Sequence, residues 1–569
     1  MPSSTLDKLL DRLDEAKRPN GVASLSSMRK LLGQFRRLHF KDAAQLIRFH
    51  EILLFMRAYP QSPALLKQTE GLLASFTKRV DKLKEEGADL TPFTDPEVSG
   101  IIGTTFSTTY SYDICRHLAR QHPTQVEIDW DGYDQQERFA LVMSRFLPLL
   151  EEDSYVETYY PFLDWLHAAK GSRETDLAWL LRCFESLQVS EKEKAELFDS
   201  LKLWVRWEVS RAPAARALTT RPVREVFYHT GPLLRRSDVS LADELNAPPL
   251  RVVKLSREEG AKLLDQGRST MAVRYRELHG YTYGDSSRVW KADAGRGVEL
   301  FVWGVPPARR LPNLAYHAAL ILKNGVPHGY AEALSLFERT EVGLNLFYTF
   351  RDGESSWIYA RLLRLLRQLL GVKVFSVDPY QLGHINDEGL ASGAFWFYRK
   401  LGFRPIQPAL IKTTETEERK IASRKGYRTS TRILRQLVSG HVLFETQDTS
   451  RGDWDRFHMR NLGLAVQRRM AGRAGGDARR LRKASEAAVA RALGVQTEKW
   501  KEPELTAFKN LSLALALIPG LSRWSRNEKS RLVGIVRAKA GADEARYLRL
   551  LQDHPKLRDE IIRLGSAEH

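Results

Sequence analysis

Apolar residues recur at three- and four-residue steps through the first part of the chain, the spacing that places them on one face of a helix. Leu6, Leu9, Leu10 and Leu13 form one such stripe, closed by Pro19, Asn20 and Gly21. Leu46, Phe49, Leu53 and Met56 form a second, which must end before Pro60. Ser62 and Pro63 then offer a cap and a first-turn residue for a third helix. No fixed period links these short helices, so residues 1–245 read as an irregular helical domain and not as a solenoid.

At Arg251 the pattern changes to alternating and β-branched runs between turn residues, the mark of strands. Residues 251–255 read as a strand, 257–265 as a helix, and 298–305 and 316–323 as further strands. Asn324, Gly325, Val326 and Pro327 predict a turn, after which 329–338 and 342–350 complete an antiparallel meander. Ile358, Leu362, Leu366 and Leu370 predict a helix that Gly371 stops. Residues 372–377 make a short apolar strand broken by Asp378 and Pro379. Helices rich in arginine return after residue 411. The expected class is therefore α+β: a mixed central sheet at 250–410, a helical region at 1–245 and a basic helical region at 411–569.

Charge adds a partner class. The chain has a net charge of +18, which favours anionic partners. Residues 411–491 hold 19 Lys or Arg against 9 Asp or Glu, a net of +10, so a nucleic acid or other acidic partner is expected there; a solvated helical face is the other reading. Cys115 and Cys183 make no disulfide framework and no zinc pattern, which points to a reduced intracellular setting. Acids and bases interrupt the apolar stripe of the first 18 residues, and Pro519 and Gly520 interrupt the apolar run at 511–521. No secretory signal or membrane span is expected, and the location expected is cytoplasmic.

Two features look functional and have simpler readings. Asp129, Asp131 and Asp134 have calcium-loop-like spacing, but Ala140 stands where a bidentate glutamate is needed, so a surface turn is expected. The hydroxyl-rich run 103–112 reads as turn-rich connecting sequence or as a ligand contact.

The stretch 342–405 carries the chemistry: a strand, a turn with Arg351, Asp352, Gly353, Glu354 and Ser355, a helix, a strand, then a short helix closing in Phe397, Tyr398, Arg399, Lys400, Leu401, Gly402 and Phe403. This order and ending resemble the GNAT N-acetyltransferase superfamily over about 160 residues. The resemblance implies a coenzyme A thioester as cosubstrate, acetyl-CoA by default, held where two parallel strands part, with its pyrophosphate at the start of the helix after the turn. Free amides at a helix start, backed by the dipole, form a ready anion site. The cofactor residues it implies are Phe350, Arg351, Gly353, Ser355 and Ser356. Setting Gly353 on the family's first glycine puts Phe350 at its basic position and Ser355 at its last; setting Arg351 at the basic position puts Glu354 and Ser356 on the glycines. The first register keeps small residues near the phosphates, with Glu354 as a repelling carboxylate if it points inward. Arg361, Arg364 and Arg367 fall on another helix face, either solvated or meeting a phosphate. The family's asparagine seven residues before the tyrosine is Ala391 here, with Asn386 as a substitute.

The reaction implied is N-acylation of an unidentified amine, with no metal. By resemblance Tyr398 protonates the leaving thiolate, and amides of the strand ending at Phe350 hold the carbonyl. The attacking amine needs a base. Glu332 and Glu338 share a strand face by alternation, and Glu338 is the chosen candidate; His317 and His328 are weaker ones. Two other readings remain: a binding or regulatory protein that has lost catalysis, and aminoacyl transfer from charged tRNA.

Overall fold

The computed structural model describes residues 5–19, 25–157, 161–172, 174–209, 213–449 and 452–566; Asn20 and Gly21, expected to stop the first helix, lie outside the described residues. The expected stripes are helical. Leu6 to Leu13 lie in the helix Thr5–Ala16, and the second stripe forms α1, Ala43–Ala58. Ser62 accepts a hydrogen bond from Leu65 N and Pro63 opens the next helix, Pro63–Leu73.

The amino-terminal region is not wholly helical. β1 (Thr105–Thr109), β2 (Val126–Ile128) and β3 (Trp204–Glu208) form a three-stranded sheet in the order β1-β3-β2. In β3, Val205 and Trp207 are buried while Trp204, Arg206 and Glu208 are exposed, the period of two that marks a half-buried strand. The run 103–112 thus supplies β1. Asp131 and Gly132 form the turn; Asp129, just after β2, accepts from Ser107 Oγ, and Trp130 Nε1 donates to Asp176 at 2.7 Å, both structural bonds.

A nine-stranded sheet forms the centre. After α2 (Leu241–Asn246), β4 (Val252–Lys254) leads into α3 (Arg257–Ala272). β5 (Val289–Gly295), β6 (Val298–Trp303), β7 (Ala315–Lys323), β8 (Val326–Leu336) and β9 (Arg339–Leu346) then run as an antiparallel meander. The β7–β8 turn is tighter than expected. Asn324 and Gly325 take φ of 47° and 77°, as a two-residue hairpin turn needs, and Val326 and Pro327 already belong to β8. Helix α4 (Ser355–Leu370) crosses over to β10 (Val374–Val377), and α5 (Ala394–Lys400) leads to β11 (Arg404–Pro405). Gly371, at φ 73°, ends α4.

The order is β11-β12-β10-β9-β8-β7-β6-β5-β4, with only β9 and β10 parallel. β12 (Val442–Glu445) lies beyond the expected domain end at 410, reached through α6 (Pro408–Ser423). The carboxy-terminal helices are not a separate body either. Beyond α7 (Met459–Ala474) and α8 (Ala478–Leu493), Tyr547 and Leu548 of α9 (Glu544–Gln552) and Leu557 and Ile561 of α10 (Pro555–Ser566) share one core with α4 and the sheet. The opposite face packs on α3 and on Leu54, Phe55, Ala58 and Tyr59 of the amino-terminal region. No helix among the described residues is long and apolar enough to cross a membrane.

Candidate functional site at the fork of two parallel strands

β9 and β10 pair only from Arg339 to Glu341 against Val374 to Ser376. Beyond that point β9 keeps its pairing with β8 through Leu346, but no residue of β10 faces Val342–Leu346. A fork results, with one β9 edge free of a strand partner. The chain then turns through Tyr348–Phe350, a 3-10 turn, so the strand ends four residues earlier than expected.

At the open end α4 begins without a side-chain cap. The first residues of a helix have no intrahelical acceptor for their N–H groups, so the start of α4 is electropositive. It faces a cleft of about 390 Å³ lined by Arg351, Gly353, Ser355, Ser356 and Phe397, with Arg18, Arg235 and Arg236 from distant segments. Of the five expected cofactor residues, four line this cleft. Phe350 does not: it is fully buried, its ring 4.5 Å from that of His328. Arg351 is tied to Glu388, and Arg18 reaches Asp352 at 2.5 Å.

Glu354 also turns away from the cleft. Its carboxylate is fully buried and accepts from Arg296 Nε at 2.8 Å, Lys323 Nζ at 3.1 Å and Leu234 N at 3.2 Å. Burial alone would raise its pKa, but Lys323 and Arg296 hold it below the usual carboxylate value. Gly353 is required here, since a Cβ would lie 2.2 Å from the hydroxyl of Tyr59, which itself accepts from Glu354 N.

Tyr398 is 4% exposed, on the α4 side of the sheet, and no described residue hydrogen-bonds its hydroxyl. Its ring packs at 5.5 Å from Tyr359 and 5.7 Å from Phe403, and burial pushes its pKa up, so it is a protonated phenol at neutral pH. Arg361 and Arg364 are neither solvated nor near the cleft: both pair with Glu244 of α2. Asn386 caps the helix Asp387–Ala391.

Glu338 and Glu332 part company. Phe337, at φ 52°, and Glu338 form the β8–β9 turn, which breaks the alternation that joined the two glutamates. Glu338 accepts from Arg558 and from Trp454 Nε1, at the end of β9 away from the opening. Glu332 stands opposite Gly343 in the unpaired stretch and accepts from the Tyr316 hydroxyl. His317 and His328 are buried, and burial lowers both.

On the face opposite α4 the fork carries a cluster that sequence reading missed. His441 Nε2 lies 3.4 Å from both Glu341 and Asp378, at the floor of a pocket of about 250 Å³. Ligand atoms of all three lie within 4.8 Å of one another, so they could hold a divalent ion; as placed, the imidazolium together with Arg339, 3.3 Å from Glu341, already balances the two carboxylates. Burial pulls His441 down, but Asp378 and Glu341 outweigh it and raise it to about 9. Its folded pKa exceeds the ordinary 6.5, so its stabilisation is complete below pH 6.5 and lost as pH rises through about 9. His441→Gln is therefore expected to lower the melting temperature at pH 6–7 and to matter progressively less towards pH 10. A constant difference across that range would exclude the ion triad.

No family model, curated protein or solved structure matches this chain.

Proposed function

We propose that the protein is an acyl-CoA-dependent N-acyltransferase, with the fork of β9 and β10 as the thioester slot. The observation that carries the reading is the parting of the single parallel pair beside an uncapped helix start in an arginine-lined cleft. In this reading the α4 amides with Ser355, Ser356 and Arg351 bind the pyrophosphate. The free edge of Val342–Leu346 takes the amide groups of the pantetheine arm and the thioester carbonyl. Acetyl is the default acyl group.

The amine nitrogen attacks the thioester carbon, the carbon–sulfur bond breaks, and the thiolate takes its proton from Tyr398. The amine's proton passes to Glu332, which replaces Glu338 in the role because it lies along the open stretch and Glu338 is held by Arg558.

Acetyl-CoA at about 100 times its dissociation constant should stabilise the protein by about 2.7 kcal/mol in thermal unfolding. Arg351→Glu should remove that shift. Tyr398→Phe should lower the rate of coenzyme A release with a panel of amines while leaving acetyl-CoA affinity unchanged. No binding at millimolar acetyl-CoA would end the proposal. A second reading, a coenzyme-binding regulator without turnover, is favoured by Phe350, whose buried ring stands where the GNAT turn has a basic residue. Binding without release for any amine, and no effect of Tyr398→Phe, would select it.

A further inference from the structure

The carboxy-terminal basic segment is not uniform. Helices α7 and α8 pack as a hairpin, and residues 459–493 carry nine Lys or Arg against two Asp or Glu. Leu481, Ser485, Val489 and Leu493 bury one face of α8 at four-residue steps, which puts Arg479, Arg480 and Arg482 on the exposed sides. On α7, Arg468 and Arg473 are exposed and Arg469 is half-buried. Nearer the sheet, Arg399 is paired with Glu418 and Arg404 with Asp455. None of these six arginines makes an ion pair among the described residues. Burial and the adjacent Arg473 both depress Arg469, the mark of like charges held together without a counter-ion.

We infer that the α7–α8 hairpin is a docking surface for the phosphate backbone of a nucleic acid. Eight of its nine cations are arginine, whose planar fork takes phosphate oxygens in pairs, where a merely soluble surface would serve as well with lysine. The hairpin also lacks what a membrane surface needs, since Leu464 is its only exposed large apolar side chain among the described residues. Each helix has 16 residues and spans about 24 Å, the length of about seven phosphate steps of one strand.

The surface leads to the fork. Met459 and Arg460, in the first turn of α7, line both an apolar groove of about 410 Å³ and the pocket holding Glu341, Asp378 and His441. Val466, in that groove, and Arg473 are seven residues apart and so share a helix face. From Arg473 to Met459 is about 21 Å along the helix. The bound strand would end at the acceptor side of the fork; this last step alone rests on the acyltransfer reading.

Fluorescence anisotropy of the full chain with a labelled RNA hairpin, a duplex DNA and a single strand tests the surface directly. Affinity should fall steeply with salt, with a log–log slope near −5 for about six neutralised phosphates on the duplex DNA. Arg469→Glu with Arg473→Glu and Arg480→Glu should make that slope shallower by about three, with unchanged acetyl-CoA affinity and melting temperature. The three nucleic acids show which form is preferred. Unchanged binding in the triple variant, no binding at 50 mM salt, or binding only to vesicles containing an anionic lipid would each overturn the inference. Nucleic-acid binding with no acetyl-CoA binding would leave the surface standing and remove only the acyltransfer reading.

Discussion

Replacing Arg216 with methionine is expected to lower the unfolding free energy by about 3–5 kcal/mol, because it strands a buried carboxylate. Arg216 donates from both terminal nitrogens to Glu51, each at 2.8 Å, and also to Val98 O and Thr349 Oγ1. Glu51 further receives the Thr349 hydroxyl and lies 2.9 Å from His50 Nδ1. One ion pair therefore ties α1 and the segment after residue 213 to the turn that precedes α4. Burial pushes Glu51 up, but Arg216, His50 and Thr349 outweigh it and hold it at about 2 against an ordinary 4.5. With the folded value depressed, its contribution is complete above pH 4.5 and is lost as pH falls through about 2. That drop corresponds to about 3 kcal/mol. Urea unfolding from pH 7 to pH 2 should show the wild type losing stability across this window and Arg216→Met losing less. A loss under about 1 kcal/mol at pH 7 would mean that water or other groups replace Arg216.

The same linkage explains which parts of the molecule could be read from the chain alone. Helix α4 was legible because Ile358, Leu362, Leu366 and Leu370 obey one period and Gly371 stops it. The cleft was legible as far as it is built from consecutive residues, Arg351 to Ser356. Arg18, Arg235 and Arg236 reach the same cleft from other segments, and no local pattern announces that. Glu341, Asp378 and His441 meet because β9, β10 and β12 are neighbours, which depends on where β12 inserts. A four-residue strand among helices, Val442–Glu445, is too short a run for its alternation to stand out. Trp204–Glu208 did carry a usable alternation, hidden by the helices around it. The expected strand face shared by Glu332 and Glu338 is not formed for a backbone reason, since alternation holds only within a strand and Phe337 turns the chain. That Tyr547 and Leu548, well beyond residue 411, pack on the sheet was hidden by the basic composition around them.

Glu354→Gln is the second substitution with a large expected effect, and it separates two views of the turn. Lys323 is fully buried, with its Nζ bonded to Glu354 and to Arg296 O and 4.6 Å from the centre of the Tyr59 ring. Burial lowers Lys323 to about 8 even with the carboxylate beside it. Without that carboxylate the ammonium is unpaired, and the variant is expected to lose about 3–5 kcal/mol at pH 7. A lysine depressed in the folded state contributes stability above its unfolded 10.5 and loses it as pH falls through the folded value. The wild type should therefore gain between pH 8 and 10.5, and Glu354→Gln should begin its gain at lower pH. Adding Lys323→Met removes the stranded charge and should restore most of the loss, since an apolar replacement of a whole buried pair is often neutral. Because the carboxylate faces inward, the acyltransferase proposal expects the double variant and the wild type to have equal affinity for acetyl-CoA. If Glu354 instead repelled the phosphates, neutralising it would tighten binding about tenfold for each 1.4 kcal/mol of repulsion removed. A single variant as stable as the wild type, or a double variant no better than the single, would show that this ion pair does not hold the turn in place.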